Sequence, residues 1–422
     1  MAYSFSGGIS PKTDNKTLGL TSKPYAEPPQ VAIPLYGGTP AVSVGDFVDI
    51  GTVIGSGQSL AHASVSGTVT AIENRTLPCG TECPFVVIKN DCRHTTVSTL
   101  DPVTKAVTEL TAEEITSRLK RAGLVDSHSG RGVGDELESA IGKAKRVVIN
   151  CTESQPWEST SYRVMTEQTE AVIKGIKLLI YTLGVPKADI VIEAKKEKLI
   201  ARIEKHITDK SLIDIKQTVS KHPISVSSRL VFAVYGKRVP AGGSPLDVGY
   251  AVFTPETAAN LYRVLSTGIP MIHKRVTVSG DGIKAPHNLI VPIGTAVSDI
   301  AAFCGGTKKR FKRIVKGGAL MGGIVGDDAV VEKTDDSVLF LSGAGIKRTG
   351  CIRCGRCIDA CPVGLTPSLL AAYGEKELYS EVISLGAEHC IGCGCCSYVC
   401  PSGIPISAII KKSLTEGRKN DE

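Results

Sequence analysis

The sequence predicts a multidomain chain of mixed α/β and α+β class. Three observations carry that prediction. The 422 residues exceed the size of one typical domain. The hydrophobic pattern changes along the chain, from short strands broken by glycine and proline to strand–helix–strand alternation and back to strands. Finally, nine of the fourteen cysteines fall between positions 351 and 400.

Residues 1–100 read as short β-strands at 31–35, 46–50, 53–54 and 63–72. The Val44-Gly45-Asp46 turn, followed by Val65-Ser66-Gly67-Thr68-Val69, resembles a lipoyl-type barrel-sandwich. Ser64 and Val65 stand where a modifiable lysine would, so the module is expected to be unmodified and structural. Residues 101–225 form the second unit. A helix is predicted from Leu110 to about Gly123, with Thr111 as cap and Glu113 and Glu114 in the first turn, where the helix dipole favours acids. A buried strand at 146–150, a helix at 167–183 ending at Gly184, and a strand at 189–193 make a parallel βαβ unit, so this region reads as Rossmann-like. Residues 226–305 return to β character, with strands expected at 230–235 and 275–280 around a helix near 257–265. That order suits a β-grasp module of the SLBB type. Residues 306–345 read as a connecting β segment. In 346–422, Thr366 and Pro367 open a helix, and the apolar spacing that follows makes the last unit helical.

Apolar content of 42% and charged content of 22% fit packed globular domains. The net charge of +7 is small for this length, so nucleic-acid binding is not expected. Residues 1–8 lack a basic and apolar leader, and no stretch of 18 apolar residues occurs, so neither a secretory signal nor a membrane span is expected. Cysteines spaced for metal rather than for disulfides point to a reducing compartment.

The two cysteine runs carry the chemistry. One is Cys351, Cys354, Cys357, Cys361 and Pro362; the other is Cys390, Cys393, Cys396, Cys400 and Pro401. Both keep the C-x2-C-x2-C-x3-C-P spacing of a two-cluster bacterial ferredoxin, in which the fourth cysteine of each run serves the other cluster. On that pattern cluster A takes Cys351, Cys354, Cys357 and Cys400, and cluster B takes Cys390, Cys393, Cys396 and Cys361. Zinc sites have no use for the Cys-Pro tail, which favours two [4Fe–4S] clusters. Cys395 reads as a bystander. Arg348, Arg353, Arg356 and Lys347 place positive charge near cluster A, either to raise its potential and draw a partner or as an ordinary solvated face.

With these residues in place, the chain resembles the C subunits of Rnf-type ion-translocating electron-transport complexes. The matching stretches are 5–11 (Phe-Ser-Gly-Gly-Ile-Ser-Pro), 239–249, 276–281, 316–322 and both cysteine runs. The resemblance implies a subunit held at the cytoplasmic side of the membrane through partner membrane subunits. It also implies electron exchange with ferredoxin or another electron-transfer protein, and NAD(H) and FMN bound in an α/β domain of NADH-dehydrogenase type.

The family's Gly-Gly-Ala-Gly-Phe-Pro loop is altered here. Gly130, Gly132 and Gly134 remain as candidate contacts to FMN or NAD(H), with no Phe-Pro after them and with Asp126, Asp135 and Glu136 adding negative charge. Asn150 and Glu153 are the candidate residues of the second flavin-side segment, and Gln155 stands where the family has an acid. Two readings therefore remain: a subunit that passes electrons between NAD(H)/flavin and ferredoxin-side partners, or a flavin-free iron–sulfur relay, including a soluble paralogue serving a dedicated reductase. Cys79, Cys83 and Cys92 near His94 read as ordinary thiols rather than a third metal site. The basic run 308–313 reads as the solvated entry to a strand.

Overall fold

The computed structural model describes residues 2–12, 15–25, 27–77, 81–98, 100–103, 109–343 and 346–419. The chain opens with β1 (Lys23–Pro24), which pairs far away with a strand near residue 290. β2 (Gln30–Pro34), β3 (Phe47–Val48), β6 (Gly67–Thr76) and β7 (Glu82–Asn90) form an antiparallel sheet in the order β2-β7-β6-β3, and β4 (Val53–Gly55) pairs with β5 (Ala61–His62). Val31, Ile33, Ile54, Val69, Val86 and Ile88 fill the sandwich between them. Ser64 is buried and donates its hydroxyl to the Ile293 carbonyl (2.6 Å), and Val65 lies in the core. The segment at Ser64 is thus packed against the residues near 293.

α1 (Ala112–Arg121) starts at Thr111, whose side chain and that of Glu114 complete a reciprocal capping box. α2 (Val133–Ala140) leads into a parallel sheet built from β8 (Arg146–Asn150), β9 (Ala188–Glu193), β10 (Ile213–Thr218) and β11 (Tyr250–Phe253), ordered β10-β9-β8-β11. α3 (Thr160–Glu167) and α4 (Thr169–Leu183) cross from β8 to β9, and α5 (Glu197–His206) crosses from β9 to β10. The single predicted helix at 167–183 begins instead at Thr169, because the chain breaks at Gln168; it ends at left-handed Gly184 as expected.

The segment expected as a strand at 230–235 is α6 (Ser227–Tyr235). Leu230 and Val234, four apart, pack together on Val148 and Val191, so tertiary packing at helical spacing overrides the β propensity of the local residues. β11 and α7 (Pro255–Thr267) belong to the same parallel layer, with α7 packed beside α4, although the strand and helix pattern of the sequence suits both to the following module. Helices α1, α2, α4, α5 and α7 share a large core on one face of the sheet, and α6 covers the other face.

β12 (His273–Ser279) and β13 (His287–Pro292) begin a mixed six-stranded sheet, flanked by α8 (Val297–Phe303). β14 (Arg313–Lys316), β15 (Gly323–Val325) and β16 (Ser337–Leu341) complete it in the order β1-β13-β12-β16-β14-β15. The segment expected as a connection therefore supplies half of this sheet's strands. The last unit is helical: α9 (Arg356–Asp359), α10 (Pro367–Gly374), α11 (Tyr379–Ser384), α12 (Cys395–Tyr398) and α13 (Ile406–Lys419). Pro367 occupies the first turn of α10, but Thr366 makes no side-chain cap. Among the described residues no helix is long and apolar enough to cross a membrane.

Candidate iron–sulfur centre and flavin-side crevice

The two cysteine runs fold as a repeat. In each, a left-handed glycine (Gly355 or Gly394) opens a one-turn helix that carries the third cysteine, Cys357 or Cys396. The fourth cysteine follows that turn, and the proline after it redirects the chain. The result exchanges the fourth thiols. Cys351, Cys354, Cys357 and Cys400 together line one cavity of about 720 Å³, from which Cys361 is absent. Cys361 lies instead with Cys390, Cys393 and Cys396. Burial first, then the neighbouring Cys393, Cys390 and Cys361, pushes the Cys396 thiol up to about 12, and Cys390 is raised by burial and by Cys393 and Cys361. Each of these thiols must lose its proton to solvent before its thiolate can bind iron.

The two groups differ in exposure. Cys351 and Cys354 are exposed, and Ile352 beside them is 66% exposed. Cys393 and Cys396 are buried, with the Leu365 N–H donating to Cys361 Sγ (3.3 Å). Among the described residues no three His, Cys, Asp or Glu side chains gather closely enough for a single metal ion. Cys395 is fully buried and directs its S–H at Cys393 and at the His222 carbonyl (3.9 Å).

The second group is fastened to the α/β layer. His222 is fully buried, and its Nε2 lies 2.7 Å from the Cys393 carbonyl. A carbonyl only accepts, so Nε2 carries the proton and Nδ1 accepts from Ser154 Oγ (3.1 Å). Ser154 Oγ in turn meets Ser225 Oγ at 2.7 Å. Arg229, from α6, is buried between the Phe5 and Phe232 rings, donates to the Pro362 carbonyl, and has Cys361 and Cys393 within electrostatic reach. Leu320, in the turn between β14 and β15, packs with Cys393 and Cys395. A Cβ on Gly394 would stand 2.3 Å from the Leu320 carbonyl, so only glycine permits that approach.

A crevice opens beyond the end of β8, where the strand order of the parallel sheet reverses, the place where open α/β sheets bind ligands. A cavity of about 450 Å³ there is lined by His128, Glu153, Gln155, Glu158, Ser225 and Asp336, among others, a volume in the range of cofactor sites. Burial, then the charges of Asp336 and Glu153, raises Glu158 to about 8.

Of the expected flavin-side residues, Glu153 lines this cavity, with its carboxylate paired to Lys196 (3.0 Å) and accepting from the Tyr162 N–H (3.0 Å). Asn150 is fully buried; its amide donates to the Ser225 carbonyl (2.8 Å), and its oxygen accepts from the Thr152 backbone and hydroxyl. Gly130 closes a turn and lines a different cavity, beside Tyr36 and Lys333. Gly132 caps α2, and Gly134 lets α2 lie against α1, where a Cβ would stand 2.7 Å from the Thr116 carbonyl. Neither lines the crevice.

The loop's own donors are already engaged. Asp126 is fully buried, with Oδ1 accepting from the N–H groups of His128 (3.0 Å) and Ser129 (3.1 Å). Its Oδ2 accepts from the Thr254 N–H (2.9 Å) and the Thr257 hydroxyl (2.7 Å). A carboxylate of the chain thus holds the place where a phosphate would seek donors, and among the described residues no Lys or Arg lines the crevice. As folded, the crevice does not fit the phosphate of FMN. Gln155 is spent as well: its oxygen accepts from the N–H groups of Leu320 (3.1 Å) and Met321 (3.0 Å).

Residues 3–93 match the RnfC barrel sandwich hybrid domain, 129–263 the Nuo51 FMN-binding domain, and 350–404 the 4Fe-4S dicluster domain. The chain is 32% identical over 398 residues to the C subunit of the proton-translocating ferredoxin:NAD(+) oxidoreductase complex of Clostridium ljungdahlii, covering 90% of this chain and 86% of that one. It is also 32% identical to the C subunit of the Na(+)-translocating complex of Acetobacterium woodii, covering 91% and 90% of the two chains. This chain belongs to the RnfC family. RnfC-family members from other bacteria align over similar lengths, as in Rhodobacter capsulatus, at 32% identity over 88% of this chain and 75% of that one. The fold extends to NAD+-reducing [NiFe]-hydrogenase in its air-oxidized and H2-reduced states. Those chains give TM-scores of 0.51 and 0.50 at 13% and 14% identity, covering 76% and 75% of this chain and 71% and 63% of theirs.

The sequence had no means of singling out His222, Arg229, Glu158 or Asp336. Each acts through a partner remote in sequence, and none sits in a motif. Of the loose group near His94, Cys79 lies outside the described residues, while Cys83 sits at the start of β7 and Cys92 just beyond its end, separated by roughly 20 Å or more of extended strand. In the basic run, Lys308 and Arg310 bond the Asp281 carbonyl just before β14.

Proposed function

We propose that this chain is the electron-transferring C subunit of a membrane-bound, ion-translocating ferredoxin:NAD+ oxidoreductase. It attaches at the cytoplasmic face through membrane subunits and passes single electrons through two [4Fe–4S] clusters. The observation that carries this reading is the exchange of fourth thiols between the two cysteine runs. Cys351, Cys354, Cys357 and Cys400 would hold cluster A, and Cys361, Cys390, Cys393 and Cys396 would hold cluster B. Bound there, the clusters supply reversible one-electron chemistry. The protein's part is to bury one thiol group, leave the other near the surface, and set the charge around both. Cluster A, rimmed by exposed Ile352, Ile358 and Arg353, is the end that meets a ferredoxin-like partner, and cluster B faces the α/β layer.

In the family's full form, electrons come from NAD(H) through FMN in that layer, and the match over 129–263 supports this form. A second reading is favoured by the bonds of Asp126: a flavin-free relay whose cluster B is served by a partner's centre. Anaerobic purification with iron, acid-labile sulfide and flavin assays separates the two. About eight irons per chain are expected in both. Bound FMN with bleaching by NADH selects the first form, and eight irons with no FMN uptake select the second. Four or fewer irons with stoichiometric zinc would overturn both.

A further inference from the structure

Residues 3–9 run from the α/β layer onto the cysteine loops. Tyr3 pairs with the outer edge of β10: its N–H donates to the Gln217 carbonyl (2.8 Å), and its carbonyl accepts from the Val219 N–H (2.9 Å). Gly8 donates its N–H to the carbonyl of Ala360 (2.9 Å), the residue before Cys361. Ile9 and His222 exchange both of their backbone hydrogen bonds (2.9 and 2.8 Å). The approach is closer than any side chain allows. A Cβ on Gly7 would stand 2.5 Å from the Cys361 carbonyl and one on Gly8 2.5 Å from the His222 carbonyl, and both glycines have left-handed φ. The Ile9 side chain is buried and packs with Ala360, Cys393 and Cys395. The Phe5 ring is buried against Lys221 and Arg229. Residues 5–9 thus touch the loop of Cys361 and the loop of Cys393, one from each cysteine run, whereas Cys351 and Cys354 are exposed.

We propose that residues 5–9 are the seal of cluster B, a positioning element that excludes water from it and thereby holds down its midpoint potential. This rests on the two-cluster reading above. Reduction adds negative charge to a cluster already carrying four thiolates, and an apolar wall disfavours that charge. Solvent exposure is accordingly one of the levers on cluster potential. Opening the wall raises the midpoint, opposite in sign to removing the Arg229 cation. The two effects are separable, because Arg229 is also held by the Phe232 ring (4.2 Å) and the Pro362 carbonyl.

The test is redox titration of the anaerobically purified full-length holoprotein, followed by electron paramagnetic resonance, with cluster A as internal reference. Gly8→Ala forces the segment off the His222 carbonyl and adds no polar group. It should raise the cluster B midpoint by about 59 mV, a tenfold change in the one-electron equilibrium. It should also speed the loss of cluster B iron to a ferrous chelator at least tenfold, while cluster A keeps both its midpoint and its rate. Ile9→Ser should act in the same direction, and Ile9→Val should match the wild type. Ile9→Ser leaves the backbone bonds in place and decides the matter should Gly8→Ala purify with only about four irons. About eight irons with an unmoved cluster B midpoint in both variants overturn the proposal alone, and so does an equal shift of both clusters. Four or fewer irons in the wild type overturn the two-cluster reading, and the proposal with it.

Discussion

The loop that replaces the family's glycine-rich segment makes a quantitative prediction. Asp126 accepts four hydrogen bonds between 2.7 and 3.1 Å, two on each oxygen, in a fully buried position. In Asp126→Asn, one of those oxygens becomes an NH2 group facing two donors. Hydrogen bonds to a charged acceptor contribute about 1.5–3 kcal/mol each, so losing two should cost about 3–6 kcal/mol. For a domain of this size, that lowers the unfolding midpoint on the order of 10 °C. The single tryptophan, Trp157, stands in the segment after β8, so its fluorescence follows unfolding of the α/β layer directly. Urea or thermal unfolding of the two proteins gives the difference. A variant within 1 kcal/mol of wild type would refute the claim that this carboxylate fills the nest and would return the loop to the flavin.

Three further outcomes test the site. Cys400→Ser should abolish the electron paramagnetic signal of cluster A and Cys361→Ser that of cluster B, each leaving about four irons; loss of the same-run cluster instead would reverse the ligand exchange. Arg229→Met should lower the midpoint of cluster B by about 59 mV, a tenfold change in the one-electron equilibrium, with cluster A unmoved; an unshifted midpoint in redox titration would leave this buried cation purely structural. Glu158 keeps its proton in the native state up to about pH 8, whereas the unfolded chain releases it near the ordinary 4.5, so stability falls as pH rises across that window. Glu158→Gln should therefore leave stability unchanged below pH 4.5 and raise it progressively toward pH 8, with a ceiling of about 5 kcal/mol; a gain that is flat with pH would rule out titration at this residue.

Much of the fold was legible because local signals agreed with the tertiary result. The Thr111 cap, the left-handed Gly184 and the βαβ order around 146–193 each fix an element from neighbouring residues alone. The cysteine spacing was equally explicit, since three thiols within seven residues constrain one turn. Legibility ended where packing partners lie far apart. Residues 230–235 carry strand-forming side chains, yet Leu230 and Val234 meet a sheet formed by residues some 40 and 80 positions earlier, and the segment is helical. In the loop before α2, glycines that look suited to phosphate instead close a turn and seat α2 on α1, while Asp126, four positions before Gly130, is drawn to Thr254 at the end of β11.

The polar contacts between layers set an order on the relay. Gln155, at the crevice, grips the turn that carries Leu320, and Leu320 presses on Cys393 and Cys395. His222 joins Ser154 to the Cys393 carbonyl by a second route. Both routes end on the loop of cluster B, whereas Cys351 and Cys354 are exposed. A charge placed on cluster B is thus felt by the crevice through packed side chains and directed hydrogen bonds. One placed on cluster A sits among exposed arginines, where solvent ions screen it within about 10 Å. On the proposed ligand assignment, cluster B would be the inner terminal of the relay and cluster A the outer one. A surface mutation at Arg353 should then alter encounter rates with a partner, and one at His222 or Arg229 the driving force within the chain.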